Sequence, residues 1–279
     1  MTTAPTTRSA ESGVLHALAR ALPLPAGAGM ARMLVERNFR AFRHGWMAVV
    51  SGFFEPVLYL FALGVGVGAL VGDVRFGHAV VPYATYVAPA LLASSAMNGA
   101  VYDATFNIFF KLKYAKLYDS VLATPLGPRD VAVAEITWAL LRGLVYSVAF
   151  FIVALLAGVV TSWWALLAIP AASLIGFAFA ATGMAATTYM RSWVDFDYVQ
   201  LAILPMFLFS ATLYPLTTYP EPLQWVVRAT PLYQGVQLVR HLMLGQLVPD
   251  LFWHVLYLLA MGLVGAAVAA RRLERLLLS

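Results

Sequence analysis

Six apolar stretches, each near the length that crosses a bilayer, leave this chain almost no way to fold in water: 47–71, 83–110, 136–160, 164–190, 199–216 and 251–270. Roughly 20 consecutive apolar residues span the hydrocarbon core. Lipid offers no partner for backbone N–H and C=O groups, so stretches of this length must be helical. Hydrophobic residues make up 62% of the chain and charged residues 11%, against about 25% charged in soluble domains. Mean hydropathy is +0.80. The sequence predicts an all-α integral membrane protein with six transmembrane helices, forming one domain over 27–279.

Charge distribution sets the orientation. Arg32, Arg37, Arg40 and Arg43 precede the first stretch, and Lys111, Lys113, Lys116 and Arg129 lie between the second and third. Arg191 follows the fourth, and Arg271, Arg272 and Arg275 follow the sixth, whereas the alternate side holds only Arg75, Arg228 and Arg240. Basic residues concentrate on cytoplasmic loops, so both termini and the 111–130 connector are expected in the cytoplasm. The net charge of +5 is thereby read as topology and lipid headgroup contact rather than nucleic-acid binding. The expected location is a bacterial cytoplasmic (inner) membrane.

Residues 1–26 lack the continuous apolar core of a signal peptide and read as a flexible cytoplasmic tail. Over about 28–45, Met30, Met33, Leu34, Phe39 and Phe42 alternate with the arginines in the manner of an amphipathic helix lying in the interface. The connectors at 72–82 and 161–163 are too short for an external domain. The fifth, about 217–250, holds two apolar helix-compatible pieces parted by Thr230-Pro231, neither long enough to span. They are expected as a re-entrant helical pair in the outer membrane region. Pro205 and Pro215 predict a break in the fifth stretch.

Absent motifs exclude several chemistries. There is no cysteine, no G-x-x-x-x-G-K-[ST], no H-E-x-x-H and no G-x-S-x-G. The five histidines lie in separate elements without ligand spacing. No catalytic, cofactor or metal site is expected on this chain.

Polar residues inside apolar stretches are the positive signal: Glu55, Asn98, Asp103, Asn107, Glu135 and Arg142. A lone charge at mid-bilayer costs roughly 2.5–3.5 kcal/mol on insertion scales, so such groups pair or face a cavity. Asp103 and Arg142 lie at similar depths and are candidate partners; Glu135, seven residues before Arg142, shares its helix face and could share the arginine. Three roles stay open: a polar pathway lining or relay of motion, a static bridge between helices, and a proton relay. Asn98 and Asn107 fit interhelical hydrogen bonding.

In the connector, Tyr114, Leu117, Tyr118, Val121 and Leu122 recur at helical spacings behind three lysines, and Thr124-Pro125-Leu126-Gly127-Pro128 ends the helix. Such a helix can occupy a groove on a partner or rest on headgroups.

The segment YVAPALLASSAMNGAVYDATFNIFFKLK, followed by YAKLYDSVLATPLGPRDVAVAEITWALLRG, resembles the permease subunits of ABC-2 type exporters, as does TPLYQGVQLVRHLMLG. The nearest branch includes the nodulation-factor lipooligosaccharide exporter permease. The likeness covers about Met30 to Leu277. It implies six spans, an N-terminal interfacial helix, a re-entrant pair, and a coupling helix at about Tyr114–Ala123 beneath which a separate ATPase docks. Glu135, Trp138, Ala139 and Arg142 match the start of the family's third span. ATP and Mg²⁺ would bind the partner, in two copies, below two facing permeases that are identical or paralogous. Closure of the motors would shift spans one, two and five and pass a lipid-linked, glycolipid or other amphipathic cargo outward. Tyr83, Tyr86, Phe207, Phe209 and Tyr214 would line the outer half of that path, unless they form an aromatic belt at the headgroups. The rival readings are efflux of a drug or secondary metabolite, an ion-driven transporter, and a membrane enzyme acting on lipid-linked sugars.

Overall fold

The computed structural model describes residues 31–42, 54, 56–77 and 79–277. The tail 1–26, Glu55, the first part of the 47–71 stretch and both ends of the 28–45 helix lie outside the described residues. Within them, α1 is Ala31–Phe42, and α2 is Pro56–Val71, with a π-helical turn at Ala62–Val67. Gly72, at φ 72°, ends α2 and turns the chain into a two-stranded antiparallel hairpin, β1 Asp73–Phe76 and β2 Ala79–Pro82. Val74 opposes Val81, and both are buried. The hairpin is a departure from the all-α expectation: two four-residue strands, each with an inward valine between more exposed neighbours, sit in the short connector between long apolar stretches.

α3, Tyr83–Tyr102, passes through a π turn at Asp103–Asn107 into α4, Ile108–Lys113. Lys116, at φ 43°, reverses the chain into the short α5, Leu117–Leu122. α6 then runs Pro128–Leu156. It starts earlier than the apolar run at 136 because Pro128 suits a first helical position and the Asp130 carboxylate accepts the Gly127 N–H at 3.0 Å. Gly158, at φ 70°, lies just beyond its end. A 3₁₀ turn, Trp163–Leu167, leads into α7, Ala168–Thr187.

α8 covers Asp195–Leu208 only. Pro205 cannot donate within the helix, and from Phe209 to Tyr214 the backbone is non-helical, with Ala211 at φ 53°. The 199–216 stretch is thus a helix plus an irregular tail. α9, Glu221–Ala229, and α10, Pro231–Leu244, meet at Thr230, whose hydroxyl accepts the Tyr233 N–H. α11 is Leu251–Leu277.

α7 is the hub, packed by α3, α6, α10 and α11. Its buried residues are mostly alanine and glycine, which let helices approach closely without a water-driven collapse. At Gly265 of α11 a Cβ would stand 2.8 Å from the Thr182 backbone nitrogen, so only glycine fits that crossing. The small residues of α7 thus serve packing within the chain. α2 and α8 are held far more loosely: α8 buries only Phe196 and Ile203. Among the described residues, three helices are long and apolar enough to cross a membrane, Pro128–Leu156, Trp163–Thr187 and Leu251–Leu277, and Pro56–Val71 is a shorter apolar helix.

Candidate functional site

Four groupings of side chains hold most of the polar contacts between helices, and Glu55 lies outside the described residues. The first lies at the connector end. Glu135, 2% exposed, accepts Lys111 Nζ at 2.7 and 2.9 Å and Asn38 Nδ2 at 3.3 Å. Asn38 Oδ1 in turn accepts Lys111 at 3.5 Å and Arg37 at 3.4 Å. The carboxylate therefore joins α1, α4 and α6. Tyr118 of α5, fully buried, stands beside it; burial first, then the Glu135 charge, raise its phenol well above the ordinary range, so it stays neutral and able to donate. The expectation that Glu135 shares Arg142 is corrected: its cation is Lys111, brought alongside by the α4 end of the rod.

Tyr118 and Val121, two of the residues named for the coupling helix, are buried in the protein. They anchor α5, and its exposed side is formed by Ser120 with the following Ala123 and Thr124. Leu117 is half-buried, and the Leu122 side chain lies outside the described ones. Tyr114 is not in the helix. It caps α4 and packs in the second grouping, where Trp193, from the loop before α8, contacts Phe109, Tyr114 and Phe196 at centroid distances of 5.4, 5.5 and 5.2 Å. Phe106 stacks on Phe196 at 4.0 Å. Rings from α4, the connector and α8 thereby interlock.

The third grouping sits mid-helix. Arg142 Nη1 donates to Asp103 Oδ1 at 2.7 Å, Asn107 Nδ2 donates to the same oxygen at 3.2 Å, and Arg142 Nη2 reaches Tyr146 Oη at 3.4 Å. This pair borders a cavity of about 640 Å³ between α2, α3, α6 and α8, which Asn98 and Phe207 also line. Across its mouth Gln200 Nε2 donates to Tyr102 Oη at 2.6 Å. A second cavity, of about 670 Å³, lies on the other side of α8, toward α7.

The fourth was missed from sequence. Arg240 of α10 is fully buried and donates to the backbone carbonyls of Tyr86 (3.1 Å), Ala211 (2.9 Å) and Thr212 (3.3 Å). It ties the irregular tail of α8 to α3. Its signal was a lone arginine inside an apolar helical piece. The outer aromatics do not form one wall: Tyr83 and Tyr86 are buried, Phe207 lines the cavity, Phe209 is exposed, and Tyr214 stacks on Tyr219 at 4.7 Å.

The helical body packs α2 and α8 loosely around a cavity bordered by the Asp103–Arg142 pair. The model of the ABC-2 type transporter family matches residues 31–244, and the chain belongs to that family. It is 32% identical over 259 residues to Nodulation protein J of Rhizobium leguminosarum bv. viciae, covering 90% of this chain and 98% of that one. Nodulation protein J of R. leguminosarum bv. trifolii is also 32% identical, over 86% of this chain and 92% of its own length. The Rhizobium meliloti (strain 1021) protein of the same name is 29% identical over 78% and 83%. The chain is a multi-pass membrane protein and a permease subunit of an ABC exporter rather than an enzyme.

Proposed function

We propose that this chain forms, with a second permease and two copies of a separate ATPase that binds ATP and Mg²⁺, an exporter in the bacterial inner membrane. The six-span arrangement, with both termini and α5 in the cytoplasm, follows from the basic residues gathered at that end. The cargo is lipid-linked, glycolipid or otherwise amphipathic, as the likeness to lipooligosaccharide exporter permeases suggests.

One observation carries the reading: Tyr118 of α5 is buried beside Glu135, which pairs with Lys111, and Lys111 belongs to the rod that runs on to the Asp103–Arg142 pair and the cavity. A push on α5 therefore acts on α4 and, through the Trp193 ring cluster, on α8. α8 is free to respond because two cavities flank it. Interhelical ion pairs also stabilise packing, and here both tasks fall to the same residues. The test is copurification from membranes with a P-loop ATPase, followed by export from proteoliposomes. A permease that runs alone and transports without ATP would refute the proposal.

A further inference from the structure

The groove between α8 and α7 differs in chemistry from the cavity at Asp103. It holds about 670 Å³, within the roughly 300–1,000 Å³ usual for ligand pockets, and follows α8 from Asp195 to Met206. Met206 stands eleven residues beyond Asp195, about 16 Å of helix at 1.5 Å per residue. That is close to half of the roughly 30 Å hydrocarbon core. Val101, Phe179, Val199, Met206 and Met261 give the groove apolar walls, and the exposed Tyr198 and Ala202 mark its open edge. Its two threonines are already engaged: Thr105 Oγ1 donates to the Val101 carbonyl at 2.7 Å, and Thr182 Oγ1 to the Ala178 carbonyl at 2.8 Å. A polar guest would find little to bind along this shaft, whereas an acyl chain needs nothing more.

Charge gathers at one end. Tyr189 and Arg191 line it, and Arg272 of α11 lies over the Tyr189 ring, its guanidinium carbon 4.2 Å from the centre. Arg272 Nε is buried with no hydrogen-bond partner among the described residues, which is costly unless an acceptor meets the guanidinium. Asp195 also lines this end, but its Oδ2 accepts the backbone N–H groups of Arg191 and Ser192 at 2.6 and 3.0 Å. Arg191 and Arg272 together outweigh that carboxylate. Arginine forks suit phosphate oxygens, and the basic end of the chain is the one expected at the cytoplasmic leaflet.

We infer that this groove holds one phospholipid of the cytoplasmic leaflet, an acyl chain lying along α8 and the phosphate meeting Arg272 and Arg191. Tyr189 supports the Arg272 guanidinium from beneath. The lipid is a resident ligand rather than cargo: it sits behind α8, on the far side of that helix from the Asp103–Arg142 pair, and fills the space into which α8 would move. The inference stands apart from the export reading, because it concerns the membrane around the chain and not what crosses it.

The test uses the full-length chain, purified in detergent with any ATPase that stays bound, stripped of lipid and titrated while native mass spectrometry counts bound molecules. Palmitoyl-oleoyl phosphatidylglycerol and palmitoyl-oleoyl glycerol share both chains and differ in the phosphate headgroup. The phospholipid should bind saturably, at one per chain, about tenfold or more tighter than the diacylglycerol. Arg272→Gln with Arg191→Gln should weaken the phospholipid about tenfold or more and leave the diacylglycerol unchanged. Ala202→Trp fills the groove from an exposed position on α8, where folding is not at stake, and should abolish saturable binding of both. Inorganic phosphate at millimolar concentration should displace neither lipid. Equal binding of the two lipids, binding indifferent to Ala202→Trp or to the arginine pair, or displacement by inorganic phosphate would each overturn the inference. So would uptake that never saturates, or a groove that stays closed to lipid because a second copy covers it. Failure of the export reading would show separately, as absence of the ATPase, since this binding requires no ATP.

Discussion

The guanidinium of Arg240 lies flat over Tyr86, its carbon 3.9 Å from the ring centre, while its Nε donates to the carbonyl of that same tyrosine. One residue thus reads both the side chain and the backbone of α3, and its Nη2 spends its hydrogen bonds on Ala211 and Thr212. The irregular tail of α8 is the only described non-helical backbone held by a buried cation in this way. Non-helical carbonyls at membrane depth must be covered by protein, and Arg240 covers them.

Replacing Arg240 with leucine should therefore destabilise the protein by about 3 kcal/mol: the Thr212 carbonyl loses its arginine donor, and the Ala211 carbonyl keeps only the Tyr86 hydroxyl at 3.4 Å. Arg240→Lys keeps the charge but not the planar fork and should recover less than half of that loss. Thermal unfolding in detergent, compared across the three proteins, measures the order. Equal stability of the leucine variant would mean that water reaches the site.

Glu135 and Lys111 should behave as a unit. Glu135→Gln strands a half-buried ammonium, Lys111→Met strands a buried carboxylate, and each should cost about 2–3 kcal/mol. The double variant should be more stable than the sum of the two losses allows, by about 1 kcal/mol or more. A double-mutant cycle on unfolding midpoints reads that coupling. The same variants should lower ATP-driven export more than they lower ATPase association, because the pair ties the α4 end of the rod to α6 and α1 rather than to the partner.

The exposed side of α5 gives the complementary outcome. Ala123→Arg places bulk and charge where no described residue needs the space, so the unfolding temperature should hold while copurification of the ATPase falls severalfold. Tyr118→Ala should do the reverse at first, lowering stability by about 3 kcal/mol through lost burial. Quantifying the ATPase retained on an affinity-tagged permease separates the two.

Gly265→Ala tests the central crossing. Its new Cβ would meet backbone rather than a side chain that could swing away. Overpacking of this kind costs typically 1–3 kcal/mol, and the unfolding midpoint should fall accordingly. Gly66→Ala in α2, where no atom of the described residues lies within 4 Å, should raise or leave stability unchanged.

Properties that depend on the chain alone were legible in the sequence. Apolar length fixed membrane residence, the helix breakers at Thr124–Pro128 and Thr230-Pro231 fixed the C-terminal end of α5 and the junction of α9 with α10, and depth along two neighbouring helices brought Asp103 to Arg142. What tertiary structure decided was which way residues face. The π turn at Asp103–Asn107 takes an extra residue per turn and so resets the face on which α4 presents Lys111, and no spacing rule announces it. Amphipathic spacing in α5 gave an apolar stripe without saying whether the stripe meets a partner or the chain's own Glu135. The groove behind α8 exists only because that helix stands away from α7. Periodicity along one helix measures angle about that helix; the identity of the neighbour across the gap is a property of packing, and packing is where the site was made.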